Sequence, residues 1–184
     1  SIVTGTHGDE LNGQYVCYKL IETINEHPEY LNGIVDVYPS INPLGIDTGC
    51  RGIPMNDLDM NRVFPGTDSG AMAEHIAYKL TQDIIGSDMC VDVHSSNIFI
   101  KEVPQVRLSP ENYDKLLPYA RLMNSDIIWA LSSSVYLESS LAIWRAVACG
   151  GDGCRFENYE RICQTDTGWN FQAYERTWDM VRSG

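Results

Sequence analysis

The residues best suited to chemistry lie in the opening stretch, Ser1-Ile-Val-Thr-Gly-Thr-His-Gly-Asp-Glu10. His7 and Glu10, three residues apart, follow a short β-branched run that ends at Gly5. An imidazole and a carboxylate at that spacing, on a tight loop that opens a helix, can grip one metal ion together. A second histidine, His94, closes another apolar run in Val91-Asp-Val-His-Ser-Ser96. Three protein ligands from two strand ends leave one coordination position for water, which is the arrangement of a catalytic zinc. A lone histidine at a strand end is more often a hydrogen-bonded core or surface residue. Here two histidines share that context, and one has a carboxylate beside it.

Arg51, Asn61 and Arg62 form a second group. In isolation they read as a solvated loop. As a functional set they read as a carboxylate clamp, because a guanidinium binds a carboxylate in a two-pronged fork and an amide adds a donor. An arginine beside an electrophilic metal can also hold a developing oxyanion.

These groups need elements to carry them. Ile2 to Thr4 reads as a strand and Glu10 to about His27 as a helix, with Val16, Leu20, Ile21 and Ile24 at helical spacing and Gly13 weakening it slightly. Gly33 to Pro39 reads as a second strand. Residues 40–68 carry almost no periodicity, and a stretch of that length with aromatic, proline and paired polar residues predicts an ordered, functional loop. Gly70 to about Ile85 reads as a helix with Met72, Ile76, Leu80 and Ile84 on one face, and Asp88 to Val93 as a strand ending at His94. Asn97 to Ile100 and Val103 to Leu108 read as short extended pieces, Pro110 opens a helix to about Asn124, and Asp126 to Leu131 forms another strand. Strand and helix alternate, so the expected class is α/β, a largely parallel sheet flanked by helices.

Composition narrows the partners. A chain of 184 residues supports one domain with a real core, and 43% hydrophobic with 21% charged residues is ordinary for a globular protein. The net charge of −12, from 13 basic against 25 acidic residues, argues against nucleic acid or an anionic membrane as the main partner. No apolar run reaches the ~18 residues of a membrane span. The chain shows no signal peptide, which points to the cytoplasm, and it begins in a strand without Met, so the expected N-terminus lies further upstream. The six cysteines form no C-x-x-C pair, and Cys17 and Cys90 sit in apolar surroundings, so buried free thiols are expected rather than a disulfide frame.

Gly5-x-His7-Gly-Asp-Glu10, Asn42-Pro-x-Gly45, Arg51, Asp59-x-Asn61-Arg62-x-Phe64-Pro-Gly66 and Asp92-x-His94-Ser-Ser occur in that order. Together, over about residues 1–140, they resemble the succinylglutamate desuccinylase/aspartoacylase family, which is related to the zinc carboxypeptidases. The resemblance implies a zinc carboxypeptidase-like fold with one Zn2+ held by His7, Glu10 and His94. It implies Arg51 as carbonyl polariser and oxyanion partner, and Asn61 and Arg62 as holders of a carboxylate on a small-molecule substrate. The implied reaction is hydrolysis of the amide of an N-acyl amino acid or related small amide. Asp92 either orients a ligating histidine or caps its strand end.

The tail departs from the family. A catalytic Glu is expected on a late strand, in a segment like Val-Val-Glu-Met-Gly, and the sequence has none. From about Leu141 the character changes: Cys149, Cys154, Cys163, Trp144, Trp169 and Trp178 crowd together, and Gly150-Gly-Asp-Gly153 disfavours a strand. Glu157 and Glu160 are the nearest carboxylates, in a context that supports no catalytic role. One reading is divergence; the sharper one is a shifted reading frame. When Trp144 to Met180 are back-translated and read one base later, one permitted codon choice gives Val-Val-Glu-Met-Gly followed by an amphipathic helix. Its Glu arises across the codons of Gly151 and Asp152. Residues 1–140 are therefore expected to form a partial zinc hydrolase-like domain and 141–184 an aberrant tail. The rival functions are a metallocarboxypeptidase on short peptides, a non-catalytic zinc-binding homologue, and a structural module with incidental histidines.

Overall fold

In a computed structural model, residues 1–96 and 99–130 are described in full and Ala146–Gly150 by their backbone. The elements run β1 (Ile2–Thr4), α1 (Asn12–Glu26), β2 (Val37–Tyr38), α2 (Pro43–Thr48), α3 (Met72–Ile84), β3 (Cys90–Val93), β4 (Gln105–Leu108), α4 (Tyr113–Ala120), β5 (Ile127–Ala130) and β6 (Ala146–Gly150). The strands form one sheet in the order β2-β1-β3-β6-β4-β5. All neighbours are parallel except β4 and β6. The sheet is thus mixed and largely parallel.

Strand alternation sends successive side chains to opposite faces. Val3 and Cys90 pack with Ala73, Ala77, Leu80 and Ile84 of α3 on one face. Ile2, Val91 and Val93 pack with Val106, Leu108, and Leu116 and Ala120 of α4 on the other. Helices therefore cover both faces, as a parallel sheet requires.

The order places the site. From β1 the chain goes to β2 on one side, whereas the strands that follow β3 lie on its other side. The carboxyl ends of β1 and β3 flank this switch point, where open α/β sheets bind ligands. The two strands are in register, with Thr4 opposite Val93. This pairing brings the residues just beyond them, the His7 loop and His94, to the same end of the sheet.

Several elements differ from the sequence expectation. The second strand shrinks to Val37–Tyr38, because only two residues pair with β1. The stretch 40–68 is ordered as expected, anchored by buried Ile41, Ile53, Met60 and Phe64. It contains a helix too short to show periodicity, α2, which starts with Asn42 as cap and Pro43 in its first turn and stops at Gly49 with φ 64°. The helix expected up to Asn124 is a 3-10 turn, Pro110–Asn112, followed by α4, which ends at Ala120. The run Gly150–Gly153, expected to break any strand, begins within one: backbone strand β6 extends through Gly150. Asn97, Leu131, Cys154, Cys163, Glu157, Glu160 and Trp144, Trp169 and Trp178 lie outside the described residues, as does the side chain of Cys149.

The helix faces match the expectation at Leu20, Leu80 and Ile84 and depart from it at Ile21 and Met72. In α1 the buried residues are Gly13, Cys17 and Leu20, while Ile21 is exposed. In α3 they are Ala73, Ala77, Leu80, Thr81 and Ile84, while Met72 is exposed. Small residues take the innermost positions because the helix axes lie close to the sheet. Gly13 is the extreme case: a β-carbon there would collide with Thr4 Oγ1 and lie 2.9 Å from Thr4 Cβ. Thr4 is fully buried and β-branched, so it cannot swing aside. Glycine to alanine in a helix normally stabilises by roughly 0.5–1 kcal/mol. Here overpacking reverses the sign: Gly13→Ala should destabilise by about 1–3 kcal/mol in urea denaturation, and a gain in stability would contradict this packing.

Candidate metal centre

The loop after β1 turns at Gly5, which has φ 70°, and carries His7 and Glu10 inward. His7 is 3% and Glu10 6% exposed. His94 follows β3 directly and is partly buried. One ligand atom from each of the three lies within 4.8 Å of the other two. The three residues that the sequence singled out are thus brought to one point.

The two histidines are held alike. His7 places Nδ1 2.7 Å from Glu10 Oε1 and Nε2 3.0 Å from Asp59 Oδ1. His94 places Nδ1 3.0 Å from Glu10 Oε2 and Nε2 2.9 Å from Asp92 Oδ2. Each ring turns Nδ1 to the shared Glu10 and is oriented from behind by an aspartate. This carboxylate–histidine pairing fixes tautomer and ring angle in metal sites. The backbone N–H of Ser95 also donates to Glu10 Oε2, at 3.0 Å.

Of the predicted clamp, Arg51 reaches the centre: its Nη1 donates to Glu10 Oε1 at 3.1 Å and its Nη2 lies 3.5 Å from Asp59 Oδ2. Arg62 lies 3.8 Å from the same Asp59 oxygen and donates to the Asn61 carbonyl at 2.9 Å. Asn61 and Arg62 sit on a 3-10 turn, Met60–Arg62, pinned by the fully buried Met60. The Asn61 N–H donates to Asp59 Oδ1 at 2.8 Å.

Asp59 is thus a residue that the sequence showed within the family motif but to which it gave no role. It joins His7, Arg51, Arg62 and the Asn61 backbone, and no local spacing reveals this because His7 lies 52 positions away. The only local signal is its place as an acidic cap two residues before Asn61. Asp92 hydrogen-bonds His94, the contact that the first of the two roles considered for it requires.

Charge is arranged to suit a cation. Burial disfavours ionisation of Glu10, but its bonds to His7 and His94 outweigh this and hold the carboxyl well below the usual range. Asp59 is likewise lowered, burial being overcome by His7, the Asn61 N–H and Arg62. Burial lowers the proton affinity of His94, but the Asp92 and Glu10 carboxylates overcome it and raise its pKa to about 10. His7 is raised for the same reason, by Asp59 and Glu10 acting against burial. Two imidazole nitrogens and a carboxylate oxygen form a donor set that suits zinc and leaves a position open.

The architecture is a zinc carboxypeptidase-like α/β fold with a His–Glu–His cluster at its switch point. Residues 1–135 match the succinylglutamate desuccinylase/aspartoacylase catalytic domain, and the chain belongs to that family. The N-alpha-acetyl-L-2,4-diaminobutyric acid deacetylase of Halomonas elongata is 33% identical over 101 residues, which span 54% of this chain and 29% of the deacetylase. The solved ectoine utilization protein EutE of Ruegeria pomeroyi superposes with a TM-score of 0.74 at 20% identity, covering 88% of this chain and 55% of its own. Murine aminoacylase 3 superposes with a TM-score of 0.56 at 17% identity, covering 83% of this chain and 55% of its own. At these identities the superpositions establish the fold. The chain spans about half the length of these solved proteins.

The charge arrangement sets a pH profile. A group with a raised folded pKa contributes stability below its ordinary value and loses it as pH rises through the folded value. In chelator, the His94 contribution should be complete below its ordinary 6.5 and fade towards about 10. Glu10 and Asp59 act oppositely: their contributions hold above 4.5 and 3.8 and fade on acidification. The thermal midpoint in chelator should therefore peak between about pH 4.5 and 6.5, and His94→Gln should flatten the alkaline fall. A midpoint that climbs steadily through the alkaline range would contradict the arrangement.

Proposed function

We propose that residues 1–140 are the metal-binding and substrate-clamping part of a zinc-dependent hydrolase that splits the amide of N-acyl amino acids or related small amides. The observation that carries this reading is the matched pair of histidines, each presenting Nδ1 to Glu10 while an aspartate holds Nε2. His7, Glu10 and His94 would hold one Zn2+, which when bound supplies a Lewis acid and a water of lowered pKa.

The remaining roles belong to side chains of this chain. Arg51, half exposed beside Glu10, would polarise the substrate carbonyl and balance the charge that develops on its oxygen. Arg62 and Asn61 take a substrate carboxylate, and Asp59 anchors the turn that carries them. On a chain of net charge −12, Arg51 and Arg62 form a local basic pair on which a small anion can land. The buried free thiols Cys17 and Cys90, pushed up by burial to about 11 and about 12, fit the reducing cytoplasm. No helix among the described residues is long and apolar enough to cross a membrane.

The general base is the part this sequence lacks, and residues 141–184 are read as a tail in a shifted frame. The register of β6 bears on where such a base would stand. β6 runs parallel beside β3 with Val93 opposite Cys149, so His94 stands level with Gly150 at the strand's carboxyl end. A carboxylate delivered from this strand end would reach the metal ligands; the sequence supplies glycine. A non-catalytic zinc-binding chain is the second reading, and the same missing Glu favours it.

Zinc content and turnover on a panel of N-acyl amino acids and short peptides separate these readings. This chain should bind one zinc and hydrolyse the panel some 10²–10⁴-fold more slowly than a protein expressed from the frame-corrected gene. High turnover by the uncorrected chain would contradict the missing-base reading. Preference of the corrected protein for peptides would replace the deacylase by a carboxypeptidase.

A further inference from the structure

The motif Asn42-Pro-x-Gly45 belongs neither to the metal grip nor to the clamp. Yet Asn42 is 2% exposed and uses both ends of its amide. Its Oδ1 accepts the Gly45 N–H at 3.0 Å, capping α2. Its Nδ2 donates to the carbonyls of Thr6, at 3.4 Å, and Gly52, at 3.3 Å. Thr6 is the residue before His7, and Gly52 is the residue after Arg51. One buried planar amide therefore ties the Thr6–His7 peptide, which enters the metal loop, to the Gly52–Ile53 peptide, one peptide beyond the one that leaves Arg51.

The surrounding backbone leaves little slack. The Asn42 N–H donates to the Gly5 carbonyl at 2.9 Å, and the Cys50 N–H to the Gly45 carbonyl at 2.9 Å. The Gly8 N–H is shared between the carbonyls of Cys50, at 3.0 Å, and Arg51, at 3.3 Å. A β-carbon on Gly8 would collide with the backbone of Gly45 and Cys50, and one on Gly45 with the Asn42 amide. The loops touch main chain to main chain, and Asn42 is the side chain that bridges all three. The Arg51 side chain is 50% exposed, so packing does little to fix it. Its reach to the metal ligands depends on where its backbone is held.

We propose that Asn42 is a positioning residue that sets Arg51 against the His7–Glu10 loop, and through Arg51 sets the affinity of the zinc-loaded site for a substrate oxygen. This rests on the reading that the site binds zinc and that Arg51 receives that oxygen. A cap alone needs only an acceptor for the Gly45 N–H, which Ser and Asp also provide. Neither can donate to the Thr6 and Gly52 carbonyls as the amide does.

The test uses the full chain loaded with zinc and acetate as the probe, with Asn42→Ser, Arg51→Gln and the double variant. Zinc affinity is read by chelator competition and acetate affinity by calorimetry. Asn42→Ser should keep zinc affinity within about threefold and weaken acetate about tenfold, as Arg51→Gln does, the loss of one charge-assisted hydrogen bond. The double variant should bind acetate no more weakly than Arg51→Gln alone, because Asn42 acts through Arg51. Additive losses, unchanged acetate affinity in Asn42→Ser, or equal loss of zinc and acetate affinity would each overturn the proposal. Asn42→Asp, which keeps volume and cap, serves if the serine variant does not fold; if neither folds, Asn42 is a stability residue and the proposal is wrong. A wild-type chain that binds no zinc, or Arg51→Gln binding acetate like wild type, would instead refute the underlying functional reading.

Discussion

Glu10 is a carboxylate buried to 6% exposure, and such a charge persists only with close compensation. It receives four partners: His7 and Arg51 on Oε1, and His94 and the Ser95 N–H on Oε2. These come from three separate parts of the chain. The fold must therefore bring the loop after β1, the loop around Arg51 and the end of β3 to one point. The β1–β3 register, the Gly8–Gly45 contact and the Asn42 amide meet that requirement.

The compensation extends outward in layers. Asp59 and Asp92 stand behind the two histidines, and Arg51 and Arg62 approach Asp59. Negative and positive groups alternate from the buried carboxylate to the solvent rim. A site built this way is oriented before any cation arrives. The basic side chains of Arg51 and Arg62 lie at the exposed rim, although the protein as a whole is strongly acidic.

How much of this was legible in the sequence follows from range. His7 and Glu10 share one loop, and His94 ends an apolar run, so their spacing and context announced them. Arg51, Asn61 and Arg62 were visible as a loop rich in donors, and their order with the other motifs revealed the family. Asp59 was not legible as a partner of His7, because a contact across 52 residues leaves no local pattern. Leu20, Leu80 and Ile84 are buried as their spacing suggested, but Ile21 and Met72 are exposed, and Gly13, Ala73 and Ala77 share the innermost positions. A hydrophobicity pattern favours large residues, while close helix–sheet approach favours small ones. α2 escaped notice because six residues cannot show a period, although its cap and stop signals were present. The reversed pairing of β4 with β6 depends on topology rather than on strand composition.

The central claim is that His7, Glu10 and His94 form one metal grip facing an open position. X-ray absorption spectroscopy of the zinc-loaded chain tests it directly, because nitrogen and oxygen ligands lie at about 2.0–2.2 Å and thiolate sulfur at about 2.3 Å. The account predicts two imidazoles with light-atom ligands completing a four-coordinate shell, and loss of the imidazole signature in a His7→Ala, His94→Ala double variant. A sulfur shell, or an imidazole signature that survives the double variant, would contradict it by placing the metal elsewhere.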